Sequence, residues 1–273
     1  MDVDLRDEIF RSVTGAHVTA VLTAEQGGLV TCVSSAAEAV RELGLLTNYF
    51  VADGSMVRPG QVVLEVEGTP KAVAKAEEVV IGIISKPSGI CTAAHAALQA
   101  AAGNVRVVVG AWKKVPSKVR HEYRALLEGL AIDTRISTKP FVYLDKNYVR
   151  IFGGVEKALA AVKRMTGYCL VVQIRGEYQP VEQEAVAAVL SGASIIMVDT
   201  GEKADLHRVV DFLNEKGLRR QVKVAFAGNI KIEDIPALSD AGADILDIGA
   251  AIIDAPMLKV RFDVVQVIPP SEG

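Results

Sequence analysis

An aspartate placed directly after an apolar strand is a carboxylate held at the edge of a core, and Asp199 follows Ile195-Ile196-Met197-Val198 in this way. There it can bind a metal ion or a ribose hydroxyl, or it can cap a helix that starts near Ala204. Two further strand ends carry glycine, Ala227-Gly228-Asn229 and Asp247-Ile248-Gly249-Ala250. Glycine lets backbone N–H groups approach an anion, and a following helix adds its positive end, so both loops have the make-up of a phosphate cradle. The plain alternative is an ordinary turn. Gly228-Asn229 is expected to open a helix over 230–238, and Gly249-Ala250 a short turn over 251–253. Lys113 and Lys114 can meet a phosphate or carboxylate, or simply be solvated. Arg135 can grip a carboxylate through two N–H groups. Trp112, the single tryptophan, can stack on a flat ring or seal a rim. Gln173 and Asp145-Lys146-Asn147 end two more apolar strands. His17, His95, His121 and His207 are scattered along the chain, which speaks against a histidine metal site or a catalytic triad.

The elements that must carry these residues change style along the chain. Residues 34–46 have helical spacing with serine as the expected cap. Short β-rich stretches around 49–51, 57 and 62–66, separated by Asp53-Gly54 and Arg58-Pro59-Gly60, suggest a small antiparallel sheet. A helix over 73–86 is expected to stop at Pro87, with a second over 91–102. From 105 onward, apolar β-branched runs at 105–109, 141–144, 169–174, 194–198, 222–226 and 244–248 alternate with helical patterns. Such runs indicate a parallel sheet buried on both faces. A spacing of about 25 residues per unit suits either a βα barrel or an open doubly wound sheet. In both, ligands bind at the carboxyl ends of the strands, where the residues above stand. Residues 260–268 read as a strand returning to the N-terminal region. A Schiff-base aldolase barrel would need a lysine inside a strand, and Lys223 is the one candidate.

The bulk composition excludes several classes. A chain of 273 residues, half of them hydrophobic, has length enough for one large or two modest domains. Its net charge of −3 argues against nucleic acid as partner. Cys32, Cys91 and Cys169 are odd in number and far apart, as expected of reduced thiols. The acidic start Met1-Asp2-Val3-Asp4 gives no expectation of a signal peptide, and no apolar run approaches the ~18–20 residues of a membrane span. A cytoplasmic protein without a membrane partner is expected.

Three stretches resemble the type II phosphoribosyltransferases, which make nicotinate mononucleotide from quinolinate or nicotinate. Ala76-Glu77-Glu78 through Pro87-Ser88-Gly89-Ile90-Cys91-Thr92 is similar to that family's "AER…LSGIAT". Ile195-Ile196-Met197-Val198-Asp199-Thr200 is similar to "IMLDN" or "RLDT", and the third stretch holds the paired glycine loops with Ala255-Pro256. The resemblance implies an α/β fold, with an N-terminal α/β sandwich followed by an open, incomplete parallel (β/α) barrel. We expect the sandwich at 1–103, joined by a C-terminal strand at 258–273, and the barrel at 104–257. It also implies a homodimer or higher homo-oligomer, with phosphoribosyl pyrophosphate and a small aromatic acid as ligands.

In a gapless register, Lys113, Arg135, Asp199 and the glycine loops match residues of the quinolinate enzymes. Trp112 stands where they have arginine, Thr134 where they have histidine, Asp145 for a lysine, Gln173 for a glutamate, and Glu78 for the arginine given across the dimer. Gly110-Ala111-Trp112-Lys113 resembles the "GARR" of the nicotinate enzymes, whose phosphorylated histidine falls near Phe141. The resemblance implies Asp199, with Gln173, at the ribose hydroxyls or Mg²⁺. It places Gly228, Asn229, Gly249 and Ala250 at the 5′-phosphate, Lys113 and Lys146 at the pyrophosphate, and Arg135 at the carboxylate of the base. The expected activity is phosphoribosyl transfer to a pyridine carboxylate. The alternative is a repurposed relative that binds a phosphorylated ligand without turnover.

Overall fold

The structure, a computed structural model, describes residues 4–270. Residues 1–3 of the acidic start and 271–273 of the expected terminal strand lie outside the described residues. Two compact units form, one from the residues up to Ala93 and from Ala255 onward, the other from Ala94–Asp254. The chain runs α1 (Arg6–Ile9), β1 (His17–Ala24), β2 (Gly28–Leu29), α2 (Val33–Glu42), β3 (Leu46–Phe50), β4 (Met56–Val57), β5 (Val62–Gly68) and α3 (Pro70–Ala101). It continues with β6 (Arg106–Val108), α4 (Ser117–Gly129), β7 (Phe141–Leu144), α5 (Lys146–Phe152), α6 (Val155–Val162), β8 (Cys169–Ile174) and α7 (Val181–Leu190). The last elements are β9 (Ile195–Val198), α8 (Lys203–Glu215), β10 (Lys223–Ala227), α9 (Ile235–Asp240), β11 (Ile245–Asp247), α10 (Ala250–Ile253) and β12 (Val260–Ile268).

In the first unit an antiparallel sheet of order β12-β1-β5-β3 forms. Alternation turns Val18, Ala20, Leu22 and Ala24 of β1 into a core shared with Val33, Ala36, Ala37 and Val40 of α2 and Val73, Ala76, Val80 and Ile84 of α3. Those helical residues recur every three or four positions, which is one stripe of each helix. Two sequence expectations fail here. The serine cap of α2 is replaced by Asp53, whose carboxylate accepts from the Val33 N–H at 2.6 Å and the Ser34 N–H at 3.4 Å. And α3 does not stop at Pro87 but runs 32 residues through it. A mid-helix proline costs about 3 kcal/mol in isolation. The residues beyond it offset that cost through distant contacts: Ser88 Oγ accepts from the Thr31 N–H and Thr92 Oγ1 from the Leu29 N–H, both at 2.9 Å. Although α3 is long and apolar enough to cross a membrane by length and composition, Val73, Ala76, Val80 and Ile84 bury it in this core.

The second unit holds six parallel strands in the order β6-β11-β10-β9-β8-β7. Each strand from β7 to β11 sits on the same side of its predecessor, and β11 then meets β6. A doubly wound sheet would reverse direction, so this is a barrel wound one way round and open between β6 and β7. Residues 132–137 pass through the gap, where Asp133 bridges Val108 and Ile136 joins the interior core. That core takes Phe141 and Tyr143 of β7, Cys169 and Val171 of β8, Ile195 and Met197 of β9, Ala225 and Ala227 of β10 and Ile245 of β11. Lys223 is exposed at the amino end of β10, the wrong end for a Schiff-base lysine.

Candidate active site

Inward residues alternate along each strand, so the next residue of the interior series after Val171, Met197 and Ile245 is Gln173, Asp199 and Asp247, at the carboxyl end of the barrel. Gln173, almost fully buried, donates its Nε2–H to Asp199 Oδ2 and accepts the Lys146 backbone N–H at 2.7 Å through Oε1. One glutamine thereby fixes the Asp199 carboxylate and the start of α5. Asp199 does not cap α8, whose cap position is Glu202. Asp145 caps α5, accepting the Asn147 and Tyr148 N–H groups at 2.8 and 3.3 Å.

Asp247, which the sequence reasoning did not single out, accepts the Gly110 N–H at 2.8 Å. Its pKa is pushed up to about 6, first by burial and then by the charge of Asp199, while the Gly110 hydrogen bond and Lys113 pull it down. Its alternation with the interior residue Ile245 was the available signal. Beneath it, burial and then Asp247, Asp199 and Asp145 push the Tyr143 phenol well above its ordinary range, so it stays protonated.

Strands β10 and β11 are paired with Ala227 opposite Asp247, so the two glycine loops are neighbours. Gly228 has φ +108°, and a Cβ there would lie 2.7 Å from Gly201 of the β9 loop; a Cβ on Gly249 would lie 2.8 Å from Ala111 of the β6 loop. Packing thus accounts for both glycines. Among the described residues, however, the backbone N–H groups of Gly228, Asn229, Gly249 and Ala250 donate to no other group of the chain. Four open donors at adjacent strand ends suit an anion. The helix expected directly after Asn229 is displaced: a 3₁₀ turn comes at Ile232–Asp234 and α9 starts only at Ile235, so no helix dipole is aimed through Gly228. Ala250 does begin α10, a single turn.

The other sequence candidates divide. Lys113 is exposed on the 3₁₀ turn Ala111–Lys114 after β6, near enough for its charge to act on Asp247. Lys146, partly buried, is held at the mouth by Gln173. Trp112 donates its indole N–H to the Thr134 carbonyl at 3.0 Å, under the Arg124 guanidinium. Arg135 is not brought to the cluster. Its guanidinium lies 5.4 Å from the ring centre of Phe141, and Phe141 is four residues before Asp145, roughly 13 Å down β7 at a ~3.3 Å rise.

An arginine missed in the sequence is there instead. Arg175, just past β8, donates through Nη1 to the Asp199 carbonyl and to its carboxylate at 3.1 Å. Buried Glu184 accepts the N–H groups of Arg175, Gly176 and Tyr178 at 3.1, 2.8 and 3.0 Å and so braces that loop. No local pattern marks a loop residue of this kind.

Known proteins resemble this chain in sequence and in fold. The sequence profile described as "Quinolinate phosphoribosyl transferase, N-terminal domain" matches residues 7–88, and that of the C-terminal domain matches 90–263. The chain is 30% identical over 219 residues to the nicotinate-nucleotide pyrophosphorylase [carboxylating] of Homo sapiens, covering 80% of this chain and 72% of that one. To the probable enzyme of the same name from Methanothermobacter thermautotrophicus it is 26% identical over 237 residues, 86% and 84% of the two chains. Among solved structures, the nicotinate-nucleotide pyrophosphorylases of Pyrococcus furiosus and Francisella tularensis share the fold. Their TM-scores are 0.77 and 0.75, at 20% and 18% identity, over 96% of this chain and 72% and 90% of theirs.

Proposed function

Because this chain belongs to the quinolinate phosphoribosyl transferase family, we propose that it is a pentosyltransferase moving phosphoribose from phosphoribosyl pyrophosphate to the ring nitrogen of a pyridine carboxylate. The observation that carries the reading is the Asp199–Gln173 pair standing beside four open backbone N–H groups on the adjacent strand ends. The pair suits ribose hydroxyls, and the N–H groups suit the 5′-phosphate.

Breaking the bond from C1′ to pyrophosphate leaves an oxocarbenium-like sugar, so catalysis is mainly placement and charge stabilisation. Asp199, oriented by Gln173, holds the ribose hydroxyls with its remaining oxygen. Gly228, Asn229, Gly249 and Ala250 fix the phosphate end, and Lys113 and Lys146 face the leaving pyrophosphate. The donor set fits Mg²⁺, which takes one or two carboxylates and fills its shell with substrate oxygens and water. Asp199 and Asp247 would supply those carboxylates; no cluster of three or more metal-binding side chains occurs among the described residues. When bound, the ion offsets the charge of the pyrophosphate. A homodimer belongs to the same reading, and sedimentation velocity tests it.

The test of the activity is twofold. Phosphoribosyl pyrophosphate with Mg²⁺ at millimolar concentration is expected to raise the melting temperature by several degrees, as a ligand of the folded state does. Pyrophosphate is expected to be released steadily once a pyridine carboxylate is added. No thermal shift sinks the reading; a shift without release from any acceptor leaves a binding protein.

A further inference from the structure

An acidic acceptor entering this mouth meets Asp145, Asp199 and Asp247, and it needs a cation to bind. Lys113 stands on the β6–β11 side, where its charge acts on Asp247. The Arg135 guanidinium lies 5.4 Å from the ring centre of Phe141. Trp112 and Thr134, the positions where the resemblance leads one to look for arginine and histidine, are bonded to each other, and the Thr134 hydroxyl donates to Glu128. Neither offers positive charge.

Arg175 does. Its Nη1 is engaged with Asp199 and its Nε lies 3.5 Å from Glu177 Oε1, while Nη2 donates to no other group among the described residues. The side chain is one-third exposed. Glu177 is itself pinned by two hydrogen bonds from Arg150, at 2.8 and 2.6 Å, and Glu184 holds the loop backbone. A guanidinium fixed on one side against the ribose-binding aspartate and open on the other is a preformed carboxylate receptor.

We propose that Arg175 determines the acceptor, binding the carboxylate of an aromatic monocarboxylic acid and so aligning its ring nitrogen with C1′. This rests on the phosphoribosyl-transfer reading. The ring nitrogen's lone pair forms the bond to C1′ as the C1′–O bond breaks, and that electron pair leaves with pyrophosphate. The acceptor keeps its carboxylate, so no carbon dioxide is released. One guanidinium pairs one carboxylate; a second carboxylate on the ring would face Asp199 and Asp247 without a partner.

The experiment uses the full chain. Pyridine-3-carboxylate, pyridine-2,3-dicarboxylate and phosphoribosyl pyrophosphate with Mg²⁺ are each titrated calorimetrically into the wild type, Arg175→Lys and Arg175→Gln. The wild type is expected to bind the monocarboxylate at least ten-fold more tightly than the dicarboxylate. Arg175→Gln should weaken the monocarboxylate ten-fold or more and Arg175→Lys less, with a smaller loss of phosphoribosyl pyrophosphate affinity because Arg175 also bonds Asp199. In turnover, the acceptor KM should rise by more than that for phosphoribosyl pyrophosphate. A wild-type preference for the dicarboxylate, an unchanged acceptor affinity in Arg175→Gln, or a loss falling mainly on phosphoribosyl pyrophosphate overturns the proposal. If Arg175→Gln does not melt cooperatively, Arg175→Lys is judged by the same direction of change. A wild type that binds phosphoribosyl pyrophosphate but neither acid sinks only this proposal; one that binds none of the three sinks the activity as well.

Discussion

Asp247 sets the clearest pH signature at the level of single residues. In the unfolded chain its carboxyl titrates near 3.8, and in the folded protein at about 6. Below the lower value both states hold the proton and the residue is neutral to stability. Between the two, the unfolded chain ionises while the folded one does not, so stability falls as pH rises; above about 6 the loss is complete. Asp247→Asn keeps an acceptor for the Gly110 N–H and removes the charge. It is expected to melt above the wild type at pH 8, with the advantage gone by pH 4; thermal melts across that range decide, and an equal melting point at pH 8 refutes it. Gln173 gives the converse case. Gln173→Glu retains the acceptor for the Lys146 N–H but turns the donor to Asp199 into a like charge. Denaturant titration should show a larger loss of stability at pH 8 than at pH 5. Asp199 and the glycine loops were legible because each directly follows an apolar strand. Asp247 needed the inward alternation as well, and Arg175 depends on a loop braced by Glu184 from nine positions away, which no local pattern records.

At the scale of elements, α3 shows how distant contacts overrule local rules. Read locally, Pro87 ends a helix; in the structure the residues just past it are tied to Leu29 and Thr31, and the turn continues. The cap of α2 escaped notice for the same reason, since Asp53 lies twenty positions from the Val33 amide it accepts. The parallel strands, by contrast, were placed within a residue or two, because a strand buried on both faces must be a continuous apolar run. Two glycines of α3 make the contrast measurable. A Cβ at Gly82 meets nothing within 4 Å, whereas one at Gly89 would run into the Pro256 carbonyl. Gly82→Ala should therefore gain about 0.5–1 kcal/mol from helix propensity. Gly89→Ala should lose about 1–3 kcal/mol to overpacking, or more if the backbone cannot give. Urea unfolding of both variants tests the pair, and a gain at Gly89 would show that the 256–257 segment moves aside freely.

Across the whole chain, what sequence could not decide was order rather than content. Six buried strands fit a barrel or an open sheet equally, and the difference lies in which strand meets which: β6 beside β11, with residues 132–137 in the remaining gap. The same holds for the first unit. The run Val260-Arg261-Phe262-Asp263-Val264-Val265-Gln266-Val267-Ile268 reads plainly as a strand, but nothing in it or in β1 names the other as its partner. In the structure His17 to Ala24 lie opposite Ile268 to Val260, so β12 covers the side of β1 that β5 does not. A chain ending at Lys259 would lose that ladder together with the packing of Val260 and Phe262 on the core. It would leave β1, with buried Val18, Ala20 and Leu22, as an unpaired edge, and an apolar edge of eight residues invites pairing with other chains. The shortened chain is therefore expected to elute as aggregate in size-exclusion chromatography at concentrations where the full chain elutes as one species. A monodisperse truncated protein with an unchanged melting temperature would mean that β1 is held by β5 and α3 alone, and that the return of the chain to its first unit is dispensable for folding.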